Sequence, residues 1–157
     1  MRKIKFEFKA YDNDKLKNVY CDIKVKYHQE DKCLYSVNSG GIGMLEIENS
    51  NVIINFDLET KRVCGIDGYI GDLNLIPKVN FRAINSQKSG VLYVNADENF
   101  INGVAYEFRF NYHVKYDSNH QTLILGEFDD KCEIYQILKN VYVQLDEHLR
   151  CILIVLN

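Results

Sequence analysis

A chain of 157 residues, 46% apolar and 26% charged, has the length and balance of one ordinary globular domain. That composition excludes a disordered chain, and one proline with nine glycines excludes collagen-like or proline-rich architecture. A formal charge of −3 excludes a generally basic nucleic-acid binder, and a domain this long buries roughly 70% of its unfolded surface without help from metals or disulfides.

Period-two alternation begins at once. Ile4, Phe6, Phe8 and Ala10 alternate with Lys3, Lys5, Glu7 and Lys9, and Val19, Cys21, Ile23, Val25 and Tyr27 alternate with polar neighbours. Successive strand side chains point to opposite faces, so both segments predict half-buried strands. Shorter candidates follow at 33–37, 43–47, 52–58, 62–66, 79–84 and 90–95. The clearest pattern is 104–116, where Val104, Tyr106, Phe108, Phe110, Tyr112, Val114 and Tyr116 take every second place. It predicts one long strand with an aromatic face toward the core and Arg109 on the solvated face. Further candidates are 121–125, 140–145 and 149–155, the last apolar on both faces and therefore suited to a covered central strand.

Two segments admit a second reading. Residues 132–145 place Ile134, Ile137, Leu138, Val141 and Leu145 at helical spacing, yet their Ile, Val and Tyr content favours strands. Residues 71–77 could form one helical turn closed by Pro77. Polar turn signals separate the candidates, at 12–14, 38–41, 48–51, 67–68, 85–90, 117–120 and 126–130. The expectation is an all-β fold over a single domain, 1–157: an antiparallel β-sandwich or barrel of roughly ten to twelve short strands, with at most one or two short helices.

The opening residues carry a charge at almost every second position, so they lack the apolar core of a signal peptide. The longest apolar run, Cys151 to Leu156, is far short of a spanning helix. Five cysteines at wide spacing read as reduced, mostly buried thiols, and the chain is expected in the cytoplasm.

No motif for catalysis stands out, and the reading points away from an enzyme. Cys64 follows Arg62 and could be exposed in a turn, but none of His28, His113, His120 and His148 stands in a nucleophile–base spacing to it. No metal or cofactor is expected: histidine pairs at ligand spacing are absent, and the acids around Asp67 and Asp72 lack the closing bidentate residue of a calcium loop. The glycines at 40, 41 and 43 lack the following Lys-Ser/Thr of a phosphate cradle.

Charge is uneven along the chain. Residues 1–32 carry nine basic and six acidic side chains, whereas 127–147 carry six acids against two lysines. Within that stretch Glu127, Phe128, Asp129 and Asp130 place an aromatic among carboxylates, the composition of an interface anchor for a basic protein surface. These four residues are the candidate partner-binding site, with neither nucleic acid nor membrane expected as partner.

Between 57 and 126 the sequence carries Phe56-Asp57 with Val63 and Gly65, then Leu75-Ile76-Pro77, Gly90 to Val94, Gly103 to Tyr106, and Leu123 to Gly126. This rhythm resembles small bacterial all-β proteins of unknown function, some of them immunity-protein-like. The resemblance implies a non-catalytic interaction module that neutralises a partner toxin, and it carries no catalytic residues. The alternative is a small-molecule-binding β-barrel lined by the Tyr/Phe face of 104–116, and the third reading is an enzyme without a recognisable motif.

Overall fold

The computed structural model describes residues 3–11, 22–37, 42–81, 84, 88–96 and 99–156. Thirteen strands form among them, and no helix does. They are β1 (Ile4–Ala10), β2 (Lys24–His28), β3 (Cys33–Val37), β4 (Gly43–Ile47), β5 (Asn51–Phe56), β6 (Val63–Tyr69) and β7 (Lys88–Ala96). After these come β8 (Ala105–Phe108), β9 (Val114–Asp117), β10 (Thr122–Gly126), β11 (Tyr135–Leu138), β12 (Val141–Leu145) and β13 (Leu149–Val155). Seven strands make one sheet in the order β1-β7-β11-β12-β13-β10-β9, and six make the other in the order β2-β3-β6-β5-β4-β8. The result is a β-sandwich, which removes the closed-barrel alternative.

The strand count exceeds the ten to twelve expected, and the sheets are mixed. β4 runs parallel to β8, and β7 runs parallel to β11, while the other ladders are antiparallel. Residues 132–145 resolve as the antiparallel pair β11 and β12. In 71–77, Leu75 N and Ile76 N both donate to Asp72 O, giving a single turn that does not continue into a helix. Asp67 and Gly68, expected in a turn, lie inside β6; Gly68, at φ +130°, lets β5 approach so closely that a Cβ would stand 2.0 Å from Asn51 O. Val19, Cys21 and the turns expected at 12–14, 38–41 and 85–87 lie outside the described residues.

The largest departure is at 104–116. The alternation continues, but the chain leaves its sheet midway: β8 is the edge of the six-stranded sheet, and β9 is the edge of the seven-stranded one. Residues 109–113 belong to neither ladder. Phe108 and Phe110 are 3% and 6% exposed and meet edge to face, with centroids 6.2 Å apart. Tyr106 and Tyr112 are half-buried, and burial pushes the Tyr112 phenol up to about 12. A turn in side-chain period would have thrown these rings into water. A change of hydrogen-bond partner does not, so the same apolar row serves both sheets.

Gly126 makes the switch possible. Its φ is +84°, and a Cβ there would come within 2.6 Å of the Phe110 ring. The core between the sheets is built from residues such as Val25, Leu45, Ile54, Phe56, Leu92, Val94, Leu123, Leu125 and Ile152, all at most 2% exposed.

A second apolar layer covers the outer face of the seven-stranded sheet. There Ile124, Ile134, Cys151 and Leu153 pack under Val79, Phe81, Ile84 and Phe128. This cover accounts for the two-faced apolar pattern of β13. It also corrects the strand expected at 79–84: beyond the isolated bridge of Lys78 to Tyr116, no ladder forms among the described residues there. Phe81 N donates instead to Asp117 Oδ2 at 2.9 Å, so a side chain takes the place of a neighbouring strand.

Buried Asn140, in the turn between β11 and β12, fastens the two sheets together. Its Oδ1 accepts from Val25 N at 2.9 Å, and its Nδ2 donates to Val25 O and Val155 O at 2.7 Å each.

Truncating Phe108 to Ala removes a ring that also meets Phe6 at 5.2 Å, and should cost about 3–5 kcal/mol. Arg109→Ala, one residue on and exposed, should change stability by no more than about 0.5 kcal/mol. Denaturant melts of the two variants check the assignment, and equal losses would contradict it.

Candidate functional site

The acidic segment expected to bind a partner leaves β10 at Gly126 and stays attached to the sandwich. Glu127 N donates to Arg150 O at 3.2 Å, which extends the pairing with β13 by one residue. Glu127 is exposed, and its Oε1 accepts from Asn111 Nδ2 at 2.6 Å. Asp130 is exposed as well. Phe128 is half-buried, its ring edge-on to Phe81 at 4.5 Å, and so belongs to the outer apolar layer.

Asp129 is held from three sides. Fully buried Gln144 accepts from Asp129 N at 2.9 Å and donates to Asp129 O at 2.7 Å, reproducing with one side chain the two bonds of a strand pair. The Asp129 carboxylate accepts from Lys131 N at 2.9 Å and faces Arg150 at 3.8 Å. The Lys131 hydrogen bond, with Arg150 adding to it, holds this carboxyl below its ordinary value. Arg150 also donates to Asp146 at 3.1 Å. Of the four expected residues, then, Glu127 and Asp130 face solvent while Phe128 and Asp129 are built into the scaffold.

Beside residues 109–113 the surface forms three adjoining depressions. The first, about 390 Å³, opens between β1 and β8 over Ile4, Phe6, Phe108 and Leu149. Lys3, Arg109 and His148 stand around it. The second, about 580 Å³, shares Arg109, His148 and Leu149 with the first and brings in Glu48, Glu127 and Asp146. The third, about 510 Å³, shares Glu127 and Arg150 with the second and ends against Phe128, Phe81 and His113. Together they make one groove: basic at the β1 end, with Glu48, Glu127 and Asp146 facing Arg109 and Arg150 in the middle, and Phe81 and Phe128 beside Lys115 at the far end.

Reactive chemistry is sparse elsewhere. Cys64 is buried inside β6 rather than exposed in a turn, and burial pushes the Cys151 thiol up to about 12. Cys33, Cys64, Cys132 and Cys151 are free thiols. Among the described residues no group of three or more His, Cys, Asp or Glu side chains could hold a metal ion. Asp67 instead accepts from Ser36 N at 2.9 Å and from Asn55 Nδ2, while Asp72 accepts from Asn74 N at 2.9 Å. No helix among the described residues is long and apolar enough to cross a membrane.

One buried carboxylate reads from the sequence only as the start of the turn at 117–120. Asp117 is fully buried at the end of β9 and accepts from Phe81 N, Asn119 N and His120 N, and from the His120 ring at 2.7 Å. The arrangement looks like a histidine base oriented by an acid. Thr122 Oγ1, close by in sequence, donates to the His120 carbonyl rather than to its ring. Asp117 thus closes the β9–β10 hairpin and tethers the 77–81 segment.

No protein-family model matches this chain, and neither does any curated protein or solved structure. Its function is therefore argued from its own geometry. The sequence reading found the acidic wall of the groove through Glu127 but missed the basic end. Lys3, Arg109 and His148 come from three distant parts of the chain, and no local spacing connects them.

Asp117 predicts an acid limb of stability. Burial pushes its carboxyl up, but the His120 ring and the three backbone N–H groups outweigh this and leave it below its ordinary value. A depressed carboxyl stabilises the fold above about pH 4 and loses that contribution as pH falls through its folded value. Asp57, Asp129 and Asp146 are depressed too, so wild type must be compared with Asp117→Asn, in which those three persist. Melting temperatures should differ at pH 7 and converge toward pH 2. A gap independent of pH would refute the assignment.

Proposed function

We propose that this chain is a non-catalytic protein-interaction module that seats a basic segment of a partner protein in the groove beside residues 109–113. Docking of this kind is how an immunity-type protein neutralises a toxin, and that is the role we assign. The continuity of the three depressions carries the reading, since they share their walls from Phe6 to Phe81. A small ligand needs one enclosed pocket, whereas an extended polypeptide needs a shallow run of adjoining ones. The middle supplies the charge. Glu48 and Glu127 lie there beside Asp146, whose carboxylate already serves Arg150.

The groove also has the rigidity that binding rewards. Gln144 fixes the backbone of one wall, and Arg150 ties Asp129 to Asp146 beneath it, so little conformational entropy is left to lose on association.

Selection on the full-length protein from random dodecapeptides with free C termini tests this. The enriched peptides should be rich in Lys and Arg, and their affinity should fall as salt rises past about 0.15 M. Glu48→Lys with Glu127→Lys should weaken them at least tenfold and move the melting temperature by no more than about 2 °C. Failure to enrich any peptide, or equal binding to the double variant, would overturn the reading.

A further inference from the structure

We propose that the opening between β1 and β8 is a recognition site for the C-terminal residue of the partner segment, taking an apolar side chain on its floor and the free carboxylate at its rim. This rests on the groove reading above and names what occupies its basic end.

The site exists because two sheets end side by side. Among the described residues β1 is the last strand of the seven-stranded sheet and β8 the last of the six-stranded one, and there each presents a strand edge without a ladder partner. The edges meet through Phe6 and Phe108, with ring centroids 5.2 Å apart. On β7, the inward residues Leu92 and Val94 are 1% and 0% exposed. Their register partners on β1, Phe8 and Phe6, are only half-buried, as is Ile4. The inward face of β1 therefore keeps apolar surface that the fold leaves partly uncovered, and Phe108 and Leu149 close the cavity below it. Apolar area of that kind is a source of binding energy that folding has not used.

The rim supplies the opposite chemistry. Lys3, Arg109 and His148 are exposed around the opening, and among the described residues no acidic side chain lines it. Among the described residues neither Lys3 nor Arg109 has an ion-pair partner. In the adjoining depression Asp146 is engaged by Arg150 Nη1 and by His148 N. Asp129, Asp130 and Glu133 line no part of this opening. Two cations beside half-covered apolar surface fit a ligand that joins a carboxylate to an apolar group. A guanidinium recognises a carboxylate through paired N–H donors, which makes Arg109 the main determinant and Lys3 the auxiliary point charge.

Charge complementarity then fixes the direction of the segment. Its C terminus sits over Arg109, and its basic residues run back across Glu127 and Glu48. The free edge of β1 offers backbone N–H and C=O groups to the same segment, the mode by which extended peptides add to a sheet.

The probes are N-acetyl-L-phenylalanine, its C-terminal amide, and octanoate, followed by backbone amide shifts of the full-length protein. The free acid should bind saturably, with Kd near about 1 mM, and shift the amides of Ile4, Phe6, Phe108 and Leu149. The amide should bind at least tenfold more weakly. Arg109→Glu should weaken the acid at least tenfold with an unchanged melting temperature. Equal binding of acid and amide, shifts that map elsewhere, or indifference to Arg109→Glu would overturn the proposal. Octanoate binding without N-acetyl-L-phenylalanine binding would overturn it too, because the occupant would then be a free apolar acid. If the selected dodecapeptides bind but do not notice amidation, this site fails while the groove stands. If the free acid binds and no dodecapeptide is enriched, the groove reading fails instead.

Discussion

The structure turns on one constraint: the chain from Tyr106 to Tyr116 must keep its aromatic row facing inward while changing sheets. Phe108 and Phe110 satisfy it by packing edge to face across the junction, and Gly126 satisfies it by leaving room for the Phe110 ring. Residues 109–112 are released from both ladders, and pairing resumes only where His113 O accepts from Gly126 N, so this stretch forms a surface strip rather than a paired strand. The groove lies along that strip. An uninterrupted strand would have placed Arg109 and Asn111 on a flat sheet face with nothing to flank.

Side-chain amides supply the connections that strands do not. Asn140 bonds to the backbone of Val25 in the opposite sheet, and Gln144 bonds to the backbone of Asp129 in the candidate site. Each is buried, and each uses both its donor and its acceptor, which is the condition under which a buried polar group does not penalise the fold. Asp117, as an acceptor only, holds the 77–81 segment through Phe81 N. All three sit where an irregular segment must be held against a sheet. Two of them bear on the groove: Gln144 holds the residue after Phe128, and Asp117 holds Phe81.

Most of the strands were legible because alternation is a local property. Ile4 to Ala10, Cys33 to Val37 and Gly43 to Ile47 follow from the period of their own side chains. What failed was pairing. Nothing within 104–116 marks the point where the hydrogen-bond partner changes, since the face stays the same and only the neighbour differs. The apolar residues Val79, Phe81 and Ile84 read as a strand because a cover over an outer sheet face needs the same side chains as a strand does. At the site, the exposed acids Glu127 and Asp130 were legible, while Phe128 was read as a free anchor because its partner Phe81 lies far away in sequence. Gln144 did leave a signal: it shares the outer face of β12 with Tyr142, and it is the one polar residue in a strand otherwise Val, Tyr and Leu.

The placement of β1 has a consequence for how the protein is made. Its ladder partner is β7, with Ile4 opposite Ala96, so during synthesis β1 leaves the ribosome long before anything it can pair with. The parallel pair of β4 with β8 adds another distant closure, Met44 opposite Ala105. Topologies dominated by such pairings fold on the order of milliseconds to seconds, slowly enough for nascent chains to meet. A waiting strand of alternating phenylalanines would template association with its neighbours. Lys3, Lys5, Glu7 and Lys9, spaced along its other face, put charge on every register in which two copies could zip together, and so keep the unpaired strand soluble until its partner emerges.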